Sequence, residues 1–271
     1  MRMSCPTNND DRVEAARKQI AAARYVVFFT GAGISAESGI STFRGAADGI
    51  WDKYPPDEFA NLPGLLRVAS RRPKLFASFL HDFIEPLVLA EPNQAHRAIA
   101  AFQHRNSSTI VTQNVDTLHQ RGGASRVIEL HGSMFESLNL VTKAVRKVSM
   151  PEMESLVSRL KALKSDASSQ FSVYRALSPL LRLRPSGLWL PNVVLFGQSL
   201  PKRAWYSAVE AVEGCDCLVI VGTSRQVFPA AALVDIARAR GIAIVDVDLA
   251  ASDSELSFRG SACSILPRLC A

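Results

Sequence analysis

The sequence predicts an α/β protein: a doubly wound parallel sheet with a second, smaller domain formed by two insertions. Three observations carry this. Short apolar runs rich in β-branched and aromatic residues alternate with helical patterns, as in a parallel sheet covered on both faces. Polar or glycine-rich turns follow several of these runs directly, as at Thr30-Gly-Ala-Gly-Ile-Ser35. Two stretches, 46–95 and 134–189, break the alternation. The main domain is therefore expected over 20–45, 96–133 and 190–271. A helical insertion is expected over 46–95 and a helical small domain over 134–189.

Val13, Ala16 and Ile20 recur at helical spacing, so a first helix is expected over 12–23. Tyr25–Phe29 then reads as a buried strand running into a glycine-rich turn that leads into a helix. Further buried strands are expected at Thr109–Thr112, Val127–Leu130, Val193–Phe196, Cys217–Val221 and Ile242–Val247. Helices are expected between them at His96–Gln103, Lys202–Glu213 and Phe228–Arg240. Pro229 suits the first turn of the last of these, and Gly241 its end. In the small domain Ser149-Met-Pro-Glu152 reads as a capping box. The stripe Met153, Leu156, Val157 and Leu160 that follows reads as a packing face.

The chain has 271 residues, 48% hydrophobic and 21% charged, which suits a soluble globular enzyme. No apolar run approaches the roughly 20 residues of a membrane span. The polar start, Met1–Asp11, lacks the apolar region of a secretory signal. Arg2, Arg12, Arg17 and Arg24 make a mitochondrial leader the second reading, and the interspersed acids favour a cytoplasmic protein. Cys5, Cys215, Cys217, Cys263 and Cys270 contain no Cys-x-x-Cys pair, which fits a reducing compartment. Between 141 and 190 there are nine basic and three acidic residues, an excess equal to the whole chain's +6. A solvated basic face, or one that contacts acidic protein segments, is expected there. With no nucleic-acid motif and no interleaved aromatics, nucleic acid is not an expected partner.

Five segments bear chemistry. Gly31-Ala-Gly33, between strand and helix, turns backbone N–H groups towards a pyrophosphate that a Cβ would hold away. The six-residue dinucleotide fingerprint is not met, because its sixth position is Ala36. Thr42-Phe43-Arg44-Gly45 extends this polar segment. Thr112-Gln-Asn-Val-Asp116 ends a strand, and Gln113, Asn114 and Asp116 suit an amide and ribose hydroxyls; an Asx-rich turn is the plain alternative. His131 of Glu129-Leu-His-Gly132 falls at another strand end, where a neutral imidazole takes a proton from a hydroxyl. Gly222-Thr-Ser224 follows a strand, and so does Asp248, an acid suited to a ribose diol.

In chain order these segments resemble the sirtuins, the Sir2-like NAD-dependent protein deacylases. Thr30–Ile40 with Thr42-Phe-Arg-Gly45 matches the family's first NAD motif, and Thr112–His119 the second. His131-Gly132 matches the catalytic His. Pro191-Asn-Val-Val-Leu-Phe-Gly197 matches the substrate strand, and Gly222-Thr-Ser224 the ribose turn. Gly-Ile-Ser-Thr-Phe-Arg44 and Pro229-Ala-Ala place the resemblance in the bacterial and mitochondrial branch. The resemblance implies a Rossmann-like NAD-binding domain and a deacylase that consumes NAD, releasing nicotinamide, O-acyl-ADP-ribose and free lysine. It implies His131 and Asn114 as catalytic residues. It puts Gly31, Ala32, Gly33, Ser35, Glu37, Phe43, Arg44, Trp51, Gln113, Asn114 and Asp116 at NAD, with Gly222, Thr223, Ser224, Asp248 and Ala262. Val194, Phe196, Gly197, Val227, Leu80 and Phe83 would bind acyl-lysine proteins or peptides. The alternatives are an NAD glycohydrolase or mono-ADP-ribosyltransferase on the same site, and a non-catalytic NAD- or ADP-ribose-binding module.

Two departures stand out. Most sirtuins hold a structural Zn²⁺ with two Cys-x-x-Cys pairs in the small domain. Counting puts those pairs at Asn139 and Thr142 and at Arg182 and Pro185, none of them a zinc ligand, so no zinc is expected. The acidic-acyl branch carries a Tyr-x-x-Arg pair where Leu80 and Phe83 stand here, so neutral acyl groups are expected. Tyr54, Arg67, Arg71 and Arg72 are the residues able to substitute for it.

Overall fold

A computed structural model describes residues 9–41, 50–165, 170–250 and 256–271. In chain order the strands are β1 (Val26–Thr30), β2 (Ser108–Thr112), β3 (Val127–Glu129), β4 (Gly132–Asn139) and β5 (Val145–Lys147). They continue as β6 (Arg182–Arg184), β7 (Gly187–Val193), β8 (Cys217–Val221), β9 (Ala243–Asp248) and β10 (Leu256–Arg259). Six of them form one sheet in the order β10-β9-β8-β1-β2-β3, every pair parallel. The other four form an antiparallel sheet in the order β5-β4-β7-β6.

Side chains alternate across a strand, so a strand buried on both faces has no polar positions to spare. In β1 the Val26 and Phe28 side chains meet one core with Ile20, Ile99, Phe102 and Leu266. Val27 and Phe29 meet the other with Ala208, Val212 and Leu233. The doubly wound sheet is therefore written in the unbroken apolar runs of β1 and β8, both buried throughout. The first helix covers Asn9–Ala22 and buries Val13, Ala16 and Ile20, the stripe read from spacing.

Three expectations are corrected. The small domain expected to be helical over 134–189 carries, among the described residues, two helices on the four-stranded antiparallel sheet, because β4 and β7 pair across the insertion. Val193–Phe196 is not a strand of the parallel sheet: β7 ends at Val193 and pairs antiparallel with β4. The chain leaves β3 straight into β4, and β7 returns against it, so its ladder partner lies in the small domain. The helix expected over Phe228–Arg240 spans Ala232–Ala239. Pro229 lies in the tight turn before it, whose carbonyl accepts from the Ala232 N–H at 3.0 Å. Gly241 ends this helix with φ 67°, as expected.

The small domain is held by side chains of three kinds. Met153, Leu156 and Leu160 of the helix Met150–Ser165 are fully buried beside Ala77, Ile84 and Leu87 of the helix Pro73–Leu89. At the start of the former, Glu152 accepts from the Ser149 N–H at 2.9 Å, the carboxylate half of the capping box. Glu152 also pairs with Arg146 of β5 at 3.1 Å and Arg182 of β6 at 3.2 Å, joining the two edge strands. Asn139 is fully buried; its Oδ1 accepts from the Val141 and Thr142 N–H groups, both at 2.9 Å, and its Nδ2 donates to the Ser186 carbonyl at 3.2 Å. One amide thus shapes the turn after β4 and ties it to the β6–β7 hairpin. Among the described residues no helix is long and apolar enough to cross a membrane.

Candidate active site

From β1 the chain builds the sheet one way through β2 and β3, and the other way through β8, β9 and β10. The order reverses between β1 and β8, and a crevice opens there at the carboxyl ends of the strands. The two turns that meet in it are locked together by backbone. The Gly31 N–H donates to Val221 O at 3.0 Å, and the Gly33 N–H to Gly222 O at 2.9 Å. A Cβ on Gly31 would lie 2.7 Å from Gly222 O, and one on Gly33 2.6 Å from Gly222 Cα. These glycines are therefore demanded by the contact between the two turns, a reason additional to the phosphate approach read from the sequence. Ala32–Ser38 then winds as a short 3₁₀ segment, closed by Gly39 at φ 86°.

The segment after β2 delivers Gln113, Asn114 and Asp116 to this crevice. Gln113 Nε2 donates to Thr223 Oγ1 at 2.7 Å, across the switch point. Asn114 Nδ2 donates to Gly31 O and Ser35 Oγ, both at 3.1 Å. The Ser35 hydroxyl donates to Asp116 Oδ2 at 2.6 Å, and the Leu118 N–H to Oδ1 at 2.9 Å. Burial raises the Asp116 pKa, and these two hydrogen bonds act against it. Ala32, Ser35, Asn114 and Asp116 line a cavity of about 220 Å³ together with Ile40, Lys53, Tyr54, Asp82, Phe83 and Leu87.

His131 follows β3, and its Nδ1 lies 2.9 Å from the Gln113 carbonyl. A carbonyl only accepts, so Nδ1 carries the ring proton and Nε2 is the basic nitrogen. Burial lowers its pKa; the bond to Gln113 partly offsets this. The His131 carbonyl accepts from the Val194 N–H at 2.9 Å, so the base and the segment after β7 are fastened together. Phe196 in that segment stacks at a tilt on Trp51, centroids 6.2 Å apart. Gly197 turns the chain there at φ 83°.

The remaining expected residues are spread around this centre. Thr223 is buried and Ser224 exposed in the β8 turn; Val227 leads into the turn before Ala232. Asp248 is the last residue of β9, its Oδ1 accepting from the Ala250 N–H at 2.9 Å. Ala262 opens the last helix, whose Ser261 cap also bonds Glu37. Phe83 lines the cavity and stacks on Phe79, and Leu80 packs against the same aromatic cluster of Tyr54, Phe59 and Phe79. Phe43 and Arg44 lie outside the described residues.

Several residues of this neighbourhood were missed in the sequence. His96 and His119 meet edge to face at 4.9 Å behind Ser35 and Thr30. His96 Nε2 is 3.5 Å from Ser35 Oγ, and His119 Nε2 is 2.9 Å from Thr30 Oγ1. Burial drives the His96 pKa down to about 4 and that of His119 well below the usual value, so both are neutral. His119 ends the segment Thr112–His119 quoted above, which was the available signal; His96 stands at the start of the helix Gln94–Arg105, in Pro92-Asn-Gln-Ala-His96. Asp82 was also missed. It accepts from Tyr54 Oη at 2.8 Å and Lys164 Nζ at 2.7 Å, and it pairs with Lys53.

The model of the Sir2 family matches residues 31–229. NAD-dependent protein deacylase 2 of Archaeoglobus fulgidus is 36% identical over 267 residues, 96% of this chain and 95% of that protein. A crystal structure of a Sir2 homologue bound to NAD superposes with TM-score 0.75 at 31% identity, covering 100% of this chain and 95% of that one. A Sir2 variant with deacetylated p53 peptide and 3′-O-acetyl-ADP-ribose superposes with TM-score 0.73 at 28% identity, covering 94% and 96%.

Proposed function

The chain belongs to the Sir2 family, and we propose that it works as an NAD-dependent protein-lysine deacylase with His131 as its general base. The observation that carries this is the His131–Gln113 contact, which leaves Nε2 as a neutral base beside the switch-point crevice. The crevice fits NAD by its donor set. It offers the two glycine turns locked together at Gly31, Gly33 and Gly222, an amide at Asn114 and a buried carboxyl at Asp116. Bound NAD would supply a glycosidic bond with nicotinamide as leaving group.

Gly31, Ala32, Gly33, Thr223 and Ser224 would hold the diphosphate and adenosine ribose, with Asp248 on the ribose diol. Asn114 and Asp116 orient the nicotinamide end, and Ser35 holds the Asp116 carboxyl. His131 Nε2 takes a proton from a ribose hydroxyl, while the Gln113 carbonyl stabilises the imidazolium that forms. Val194, Phe196, Gly197 and Val227 would carry the peptide. This is the bacterial and mitochondrial branch of the family by motif.

The small domain works without zinc. Asn139 and Thr142 offer no zinc donor set, and the Asn139 amide already ties together the two hairpins a metal would join. Neutral acyl groups are preferred over succinyl or malonyl. Tyr54 and Lys53 do line the cavity, but both are engaged by Asp82. At the counted position of the acidic-acyl branch's Arg, an acyl carboxylate would meet the Phe83 ring in place of a guanidinium.

Calorimetry with NAD and ADP-ribose tests the site itself. Wild type should bind both, and Asn114→Ala or Asp116→Ala should weaken NAD binding more than ADP-ribose binding. Absence of any binding by the wild-type protein would remove the enzymatic reading.

A further inference from the structure

The helix Leu62–Arg71 begins beside the segment assigned above to the peptide. The Phe196 N–H donates to the Ala60 carbonyl at 2.9 Å, and the next residue, Asn61, caps the helix by accepting from the Gly64 N–H at 2.9 Å. Val68 and Gly64 face inward, whereas Leu62 and Leu66, one turn apart, are 40% and 61% exposed. Ser70 continues that row, and its carbonyl accepts from Gln170 Nε2 at 2.6 Å. This brings up the helix Gln170–Ala176, with Phe171 71% and Tyr174 43% exposed. Arg67 and Arg71 on this helix and Arg175 on the next are exposed, and none makes an ion pair with another described residue. Of the acids beside this helix among the described residues, Glu58 is paired with Arg72, and Asp57 lies before the opposite end of the helix. Unpaired positive charge therefore collects at the Arg71 end.

We propose that this surface is a substrate exosite, holding an acidic protein segment with apolar side chains that flanks the acyl-lysine. It rests on the deacylase reading, which brings an acyl-lysine peptide to Phe196. A ten-residue helix is about 15 Å long. An extended peptide covers about 3.3 Å per residue, so the favoured acids lie roughly three to six residues from the lysine. Leu62, Leu66 and Phe171 give apolar side chains their contact, and the arginines give the charge complement. Continuity with the peptide segment favours a protein partner over an anionic membrane.

The test measures kcat/KM for one acetyl-lysine in a set of peptides, with NAD saturating. The set holds a bare tripeptide, and longer peptides with Asp/Glu and Leu, or Gln alone, three to six residues out on either flank. On one flank the acidic peptide should exceed the Gln peptide by about three- to tenfold at low salt, through KM. The preference should collapse near about 0.5 M salt. Combined Arg67→Glu and Arg71→Glu should abolish it and leave tripeptide turnover unchanged. Leu66→Ser should lower turnover of the acidic peptide only. Equal turnover of acidic and Gln peptides, or a preference surviving the charge reversal, overturns the exosite. So does binding of the wild-type protein to phosphatidylserine vesicles without any peptide preference. Failure to turn over even the tripeptide would instead count against the deacylase reading.

Discussion

His131 is set between two opposed influences. Burial disfavours its charged form, and the Gln113 carbonyl favours it; burial is the larger, so the folded pKa lies below 6.5. A base must be neutral before it accepts a proton. The acid limb of the kcat/KM profile should therefore inflect below pH 6.5, and His131→Ala should lose at least about 100-fold in turnover while folding normally. Circular dichroism and steady-state rates check both parts; deacylation unchanged in the variant removes His131 from the mechanism. The placement of Asn114, Asp116 and His131 after strands was legible because each follows an apolar run, and strand ends are where such sheets bind ligands. Their mutual contacts were not. Ser35 meets Asn114 across 79 positions and Asp116 across 81, and no local spacing rule encodes a pair that distant.

Strands with unbroken apolar runs, such as β1 and β8, could be read because burial on both faces leaves no other pattern. β7 could not. Its residues are half buried, and which sheet it joins depends on β4, far upstream. The lack of any Cys between His131 and Pro191 was plain in the sequence, but the bonds of Asn139 were not, since an asparagine gives no sign of the carbonyl it will find. Asn139→Ala would strip two turn N–H groups of their acceptor and Ser186 of its donor. It should cost about 2 kcal/mol and lower Tm measurably, while chelator leaves the wild-type Tm unchanged. One equivalent of zinc by elemental analysis, or a Tm that falls with chelator, would show that a metal holds this domain instead. The basic excess of the insertion is also smaller in effect than its count. Arg146, Arg182 and Lys164 are engaged by Glu152 and Asp82.

The stability of the whole molecule couples to these buried groups with opposite signs. His96 titrates at about 4 when folded against 6.5 as the ordinary value. Below pH 6.5 the unfolded chain takes up a proton that the fold refuses, so this residue costs stability as pH falls towards 4, on the order of 3 kcal/mol. Glu129, pushed up to about 7 by burial, acts the other way: between pH 7 and 4.5 the fold binds a proton that the unfolded chain lacks. Denaturant unfolding of wild type, His96→Gln and Glu129→Gln at pH 7 and pH 4.5 separates them. The stability difference between wild type and His96→Gln should shift against wild type on acidification. The difference from Glu129→Gln should shift in its favour. Shifts of the same sign in both pairs would contradict this assignment. The fold and the chemistry meet in the reaction itself, and one assay reads it most directly: purified protein with NAD and acetyl-, long-chain acyl- and succinyl-lysine peptides of one sequence, followed by mass. The predicted result is free lysine peptide with matching O-acyl-ADP-ribose and nicotinamide, the neutral acyl groups favoured by at least about tenfold in kcat/KM. Nicotinamide and free ADP-ribose with the acyl-lysine left intact, or ADP-ribose transferred onto the peptide, would contradict it.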